Sequence, residues 1–298
     1  MSALEVTAVG LFATVQDQGR RGFLDQGVGT AGAADRASAA LATRLVANAA
    51  GAALVEALFG GLAVRARGAI AVAVTGAYCP LTVTTAAGRV RHAAMYELID
   101  LADGDELRIG APSAGVRTYL AVRGGVDLPP VLGSRSYDTL AGIGPAPLSV
   151  GDRLPVGTAT DGYPVVDAVA PPWGAGSGAG GEAPGVVLDG FLGPRDDWFA
   201  PEALALLRTG VFTVTPASDR VGVRLEGPAP LDRAIADELP SEPMALGSLQ
   251  VPAAGHPIIF LADHPVTGGY PVIAVLSDAA IDRAAQLAPG QRVRFRLR

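Results

Sequence analysis

The chain has 298 residues, 49% of them hydrophobic and 17% charged, which is too apolar for a disordered chain and suits about two domains or one large β unit. A formal net charge of -6 excludes the concentrated positive footprint of a nucleic-acid binder. All 23 basic residues are arginine, so the chain holds no P-loop, forms no Schiff base on a lysine and carries no covalently bound biotin.

No apolar run approaches the roughly 20 residues of a membrane helix, and the segment from Met1 to Val6 lacks a basic region followed by an apolar one. A cytoplasmic protein that engages no membrane is expected. From Val6 the chain reads as extended, and a strand ending at Val15 delivers Gln16 and Asp17 into a glycine-punctuated loop with Arg20 and Arg21. That loop either holds an anion or is a solvated turn with an Asp–Arg surface pair. Asp35 is placed to cap a helix from about Arg36 to Val46, with Leu41 and Leu45 on one face. Leu54 to Phe59 then resumes as an extended segment.

From there to about Val156, short apolar runs alternate with glycine turns, the spacing of a β-rich barrel or sandwich. The single Cys79 follows the apolar run 69–74 and precedes Pro80, so it reads as a buried core thiol and not a nucleophile. Glycine turns at Gly104, Gly151 and Gly290 each precede an alternating strand, and a strand-then-glycine pattern recurs at 71–77 and 222–228. These echoes predict two related β-rich halves with few short helices, barrel-like and sharing a cleft. Residues 171–185, dense in glycine and proline, are the expected linker between an N-terminal half, 1–170, and a C-terminal half, 186–298.

The second half opens with a strand at Val186 to Leu188 and a turn at Gly193 to Asp197. A short helix with Pro201 near its start and Gly210 at its end follows. Strands are expected around Thr213 to Thr215 and Val221 to Leu225, and a last helix from Asp278 to Leu287 is capped by Ser277. Between them, Ile258 to Ala262 is a short β-branched run that reads as a buried strand. Asp263, His264 and Thr267 leave its end, and Gly268-Gly269 lets backbone come close to a ligand.

Only three histidines exist, His92, His256 and His264, and none are spaced as ligands, so no metal site is expected. No Gly-x-Ser-x-Gly elbow is present, which disfavours a serine triad. What remains is a polar set: Gln16, Asp17 and Arg20; Ser218, Asp219 and Arg220; Glu242, Gln250, Asp263 and Thr267. Such groups hold a small amide, carboxylate or phosphate by paired hydrogen bonds, and carboxylates near arginines transfer protons. Asp263 has the first claim on an acid–base or orienting role, with Asp17 and Glu242 beside it. The competing role for Asp263 is a structural pair with Arg220 that holds two strands together. Gln250 and Thr267 would orient an amide, and Gly268 and Gly269 would offer N–H groups to developing negative charge.

Four ordered motifs carry a resemblance: Thr14 to Arg20, Leu132 to Ser136 with Asp138, Ser218 to Gly227, and Thr267-Gly268-Gly269-Tyr270-Pro271. Together they resemble the family variously called allophanate hydrolase subunit 2, the C subunit of 5-oxoprolinase and antagonist of the sporulation-kinase inhibitor, over nearly the whole chain outside the linker. The resemblance implies a cyclophilin-like β-barrel and a companion subunit similar to the kinase-inhibitor protein, in a hetero-oligomer. It also looks like half of the carboxyltransferase region of urea carboxylase. The activity it implies is ATP-dependent opening of 5-oxoproline to glutamate, with ATP bound within the complex. The alternatives are an allophanate hydrolase or urea amidolyase subunit, and a non-catalytic regulator that sequesters a histidine-kinase inhibitor. His264 and Tyr270 complete the implied substrate-binding set. The chain departs from the family here, with Asp263-His264 where relatives have Asp-Arg and Val272 where they have a lysine.

Overall fold

A computed structural model describes residues 2–166, 168–170 and 185–298. The expected linker lies outside the described residues except for Gly185. Three helices and twenty strands are found among those residues, so the chain is mainly β. No helix among them is long and apolar enough to cross a membrane.

The chain falls into two compact units. In the first, a six-stranded sheet and a five-stranded sheet are antiparallel throughout. Their inward residues form one core, with Leu4, Val64, Leu81 and Leu107 from one sheet and Val15, Val55, Val74 and Leu120 from the other. Alternation along each strand accounts for this, because every second side chain points to the same face. The N-terminal extended segment divides at Gly10 into strands Ala3–Val9 and Phe12–Gln16. A Cβ on Gly10 would lie 2.1 Å from the carbonyl oxygen of Gly60, and its φ is +74°. Only glycine permits both that backbone conformation and that approach.

Helix α1, Arg36–Leu45, packs on the far face of the five-stranded sheet. As expected, Asp35 caps it, accepting the Ser38 N–H at 3.0 Å. Cys79 is buried, and burial pushes its thiol up to about 12, which makes it inert at neutral pH.

The second unit is a closed seven-stranded barrel in the order Val186–Leu192, Val272–Leu276, Ser248–Gln250, Ile258–Phe260, Gly222–Glu226, Phe212–Val214 and Arg292–Leu297. Closure is made by a parallel pairing of Arg292–Leu297 with Val186–Leu192. Leu188, Val223, Leu249, Ile259, Ile273 and Phe295 fill the centre. Phe212 meets Phe295 edge-on, with centroids 5.5 Å apart. Helix α2, Pro201–Thr209, begins on its proline, whose fixed φ suits the first helical position. Helix α3, Asp278–Ala284, is capped by Ser277 but stops three residues short of the expected Leu287. There the N–H groups of Gln286 and Leu287 turn to the carbonyls of Arg283 and Ala284, three residues back, and tighten the helix into a turn.

The expected N-terminal half, 1–170, is not compact as one piece. Residues Arg21–Ala34 and Thr139–Ala141 belong with the barrel. Ala34 packs into its core, while Gly32 and Thr139 are hydrogen-bonded to Arg220 and Asp263.

Candidate functional site

The two motifs at 14–20 and 132–138 meet in the first unit. Strand Phe12–Gln16 ends by placing Asp17 against the loop at Ser134. Its Oδ1 accepts from the hydroxyls of Ser134 and Ser136, each at 2.6 Å, and from the Gly19 N–H at 2.8 Å. Its Oδ2 accepts the Arg135 N–H at 2.7 Å. Gln16 is fully buried, and its amide donates to Thr14 Oγ1 and the Tyr137 carbonyl, both at 2.9 Å. Arg20, 2% exposed, donates not to Asp17 but to the carbonyls of Ser136 and Ile143. Gln16 Oε1 and the Nε and Nη1 of Arg20 make no hydrogen bond among the described residues.

Beside Gln16 lies a polar row that sequence reasoning missed. Thr14 pairs with Glu56, Glu56 with Tyr119, and Tyr119 with Thr75, giving one rung across four strands of the five-stranded sheet. Paired residues share a face, and all four are buried. Helix α1 joins this row: the Asp35 N–H donates to the Tyr119 hydroxyl and Thr75 donates to the Ser38 carbonyl, both at 2.7 Å. Arg117 pairs with Glu56 at 3.5 Å. Burial, then the neighbouring Glu56 and Asp35, hold the Tyr119 phenol well above its ordinary value. The available signal was Glu56 itself, a lone carboxylate in the middle of an apolar strand.

In the second unit, Arg220 and Asp263 form a buried ion pair. Arg220 Nε reaches Oδ2 at 2.9 Å and Nη2 reaches Oδ1 at 3.0 Å, a fork-to-fork geometry. The Thr139 N–H and hydroxyl add donors to Oδ2 at 2.9 and 2.7 Å, and Arg220 also holds the Gly32 carbonyl at 2.6 Å. Three separate chain segments are therefore fastened at one carboxylate. Ser218 and Asp219 serve their own loop: the Ser218 hydroxyl donates to the Thr215 carbonyl, and Asp219 accepts from the N–H groups of Val221 and Gly222.

A third group also lies in the second unit. Strands Glu242–Pro243 and Thr267–Gly268 pair with each other. Arg195, which sequence reasoning passed over in its turn, grips both oxygens of Glu242. That hydrogen bonding holds the Glu242 carboxyl below the usual carboxylate range. Buried Gln250 donates to the Tyr270 carbonyl at 3.1 Å. A Cβ on Gly268 would come within 2.7 Å of the Gln250 amide nitrogen, so glycine is needed there for close approach. Gly269 runs against the Leu239 carbonyl. Thr267 and Tyr270 are exposed, with the Arg233 guanidinium 5.6 Å from the centre of the Tyr270 ring. His264 is half-buried, 6.1 Å from the Phe260 ring, with Nδ1 at 2.9 Å from the Pro265 carbonyl.

The described residues form a mainly β chain with a closed seven-stranded barrel. Residues 26–297 match the carboxyltransferase domain, subdomain A and B, and the chain belongs to that family. It is 34% identical to the C subunit of 5-oxoprolinase from Escherichia coli (strain K12), over 98% of this chain and 90% of that one. Among solved structures it is similar to TTHA0988, with 32% identity, a TM-score of 0.81, and coverage of 99% of this chain and 56% of that one. It is also similar to the K. lactis urea amidolyase, with 28% identity, a TM-score of 0.87, and coverage of 98% of this chain but 18% of that one. The chain thus spans little more than half of TTHA0988 and under a fifth of the amidolyase.

Proposed function

We propose that this chain is one subunit of an ATP-dependent amidohydrolase that opens the lactam of 5-oxoproline to glutamate, acting in a hetero-oligomer with a kinase-inhibitor-like companion subunit. The observation that carries this reading is the match over 90% of a relative named as part of a 5-oxoprolinase. The chain has no lysine for a P-loop, so the reading places the nucleotide phosphates at a site of another kind or on another subunit.

The geometry suggests a division of roles. Asp17 and Asp263 each accept four hydrogen bonds, whereas Glu242 accepts two, both from Arg195, so the two aspartates are proposed as positioning residues that fix loops. Glu242 retains 25% side-chain exposure, and with its carboxyl lowered by Arg195 it is ionised at neutral pH. It is the proposed general base toward a water or the lactam N–H. Gln250, Thr267 and Gly268, assembled around it, orient the amide, with Tyr270 at the rim.

The likeness to the urea amidolyase favours a second reading, a carboxyl-transfer or allophanate-cleaving subunit, with biotin carried on another chain. Co-expression with the companion subunit, sizing chromatography and ATP turnover with 5-oxoproline, allophanate or urea decide between them. Turnover specific to 5-oxoproline supports the first reading. Turnover only with urea or allophanate replaces it, and a tight complex inert on all three indicates a sequestering regulator.

A further inference from the structure

The barrel wall carries a pocket that none of these roles uses. It has a volume of about 370 Å³, within the roughly 300–1,000 Å³ of small-molecule sites. Arg224, Glu226, Thr215 and His256 supply its polar lining, and Pro257 and Ile258 part of its apolar lining.

Its walls are fixed. Arg224 pairs with Ile258 across two barrel strands, and the Leu225 N–H donates to the Pro257 carbonyl at 3.0 Å. The Ser218 hydroxyl accepts the Arg224 N–H at 3.0 Å and donates to the Thr215 carbonyl at 2.9 Å. Ser218, read from sequence as substrate-binding, thus ties two of the lining residues, Thr215 and Arg224, to each other. On the other side, Gly255 closes a turn onto the Pro252 carbonyl at 2.9 Å with a φ of +75°.

Arg224 and Glu226 sit two positions apart on one strand, so they project from the same face about 6–7 Å apart along it. Among the described residues neither makes an ion pair, with the other or elsewhere, and the Thr215 hydroxyl makes no hydrogen bond. A cation and an anion kept apart on one wall, over an apolar surface, match a ligand that carries both charges close together.

We propose that this pocket binds a free α-amino acid as its zwitterion, with the carboxylate on the Arg224 guanidinium, the ammonium on the Glu226 carboxylate and the side chain against Ile258 and Pro257. The site is independent of the lactam-opening reading and stands if that reading fails.

Ligand-observed NMR and calorimetry on the full chain, with L-leucine and L-glutamate as probes, test it. Binding of either is expected at millimolar concentration, and which one binds better identifies the preferred side chain. N-acetyl-leucine lacks the ammonium and leucinamide lacks the carboxylate, so each is expected to bind about tenfold more weakly or worse than leucine. Arg224→Gln and Glu226→Gln alter exposed positions and are expected to lose binding to the same extent with an unchanged fold. If neither amino acid binds, if the one-charge analogues bind as well as leucine, or if either variant binds as the parent does, the proposal is overturned.

Discussion

Asp17 and Asp263 are two carboxylates gripped at both oxygens, and the difference between their grips is instructive. Asp17 is held by neutral donors, two hydroxyls and two backbone N–H groups, although Arg20 is three residues away in sequence. Asp263 is held by a guanidinium that lies 43 residues away, with Thr139 adding two donors. Nearness along the chain does not choose the partner. Arg20, in the loop after the strand Phe12–Gln16, turns toward the Ser136 and Ile143 carbonyls, while Arg220 and Asp263 are brought together beside two antiparallel barrel strands.

The largest effect is expected at the charged grip. Asp263→Ala leaves the Arg220 guanidinium buried without its counter-ion, a loss of about 3–5 kcal/mol. Urea denaturation reads it, and replacing both residues with apolar ones of similar volume is expected to recover much of the loss. A single-variant loss under about 1 kcal/mol, the range of an exposed pair, would show that the pair does not fasten the three segments.

Asp17→Ala is expected to cost less, about 2 kcal/mol, because its donors are neutral and the two serine hydroxyls can rotate to other acceptors. Equal losses at the two sites in the same denaturation series would erase the contrast between charged and neutral grips.

Much of this architecture was legible in the sequence, because alternation and turn chemistry are local. The Asp35 and Ser277 caps, the proline start of α2 and the β-rich character all follow from residues within a few positions of one another. The assignment of residues 21–34 and 139–141 to the barrel was not legible, since it rests on Arg220 and Asp263 reaching Gly32 and Thr139 across more than a hundred positions. Asp17 was singled out in sequence with the motif at 14–20, and Gln250 as a polar residue in the stretch that leads to the motif at 267–271. The rung from Thr14 through Glu56 and Tyr119 to Thr75 was missed because register decides it, and one residue of slip would have moved each side chain to the other face.

Tyr119 gives that rung a pH signature. Its phenol is raised in the folded chain, and the Cys79 thiol is raised to about 12, so both stay protonated in the fold after the unfolded chain has lost those protons. The unfolded state then binds fewer protons, and stability falls as pH rises above about 8.5 for the thiol and about 10 for the phenol. Tyr119→Phe is expected to flatten the upper part of that decline in alkaline denaturation, while Cys79→Ala flattens the lower part. A profile unchanged by Tyr119→Phe would mean that the phenol ionises in the folded rung as freely as it does in water.

The smallest effect on stability is expected at Glu242, and it separates a fastened carboxylate from a working one. The pair with Arg195 reaches solvent on both sides, with side-chain exposures of 25% and 36%, and such pairs contribute little because water and salt screen them. Its carboxyl is lowered in the fold by the Arg195 hydrogen bonds. Whatever the pair contributes is therefore present above the ordinary glutamate value near 4.3 and lost as pH falls through the lower folded value. At neutral pH, Glu242→Gln keeps the shape and one hydrogen bond to Arg195, so the thermal midpoint is expected to stay within error of the parent. If Glu242 is the base, lactam turnover by the reconstituted complex falls by about 100-fold or more, the usual scale for removing a general base, with companion binding intact. Parental turnover by a folded, complexed Glu242→Gln would make the residue another surface partner of an arginine and remove it from the chemistry.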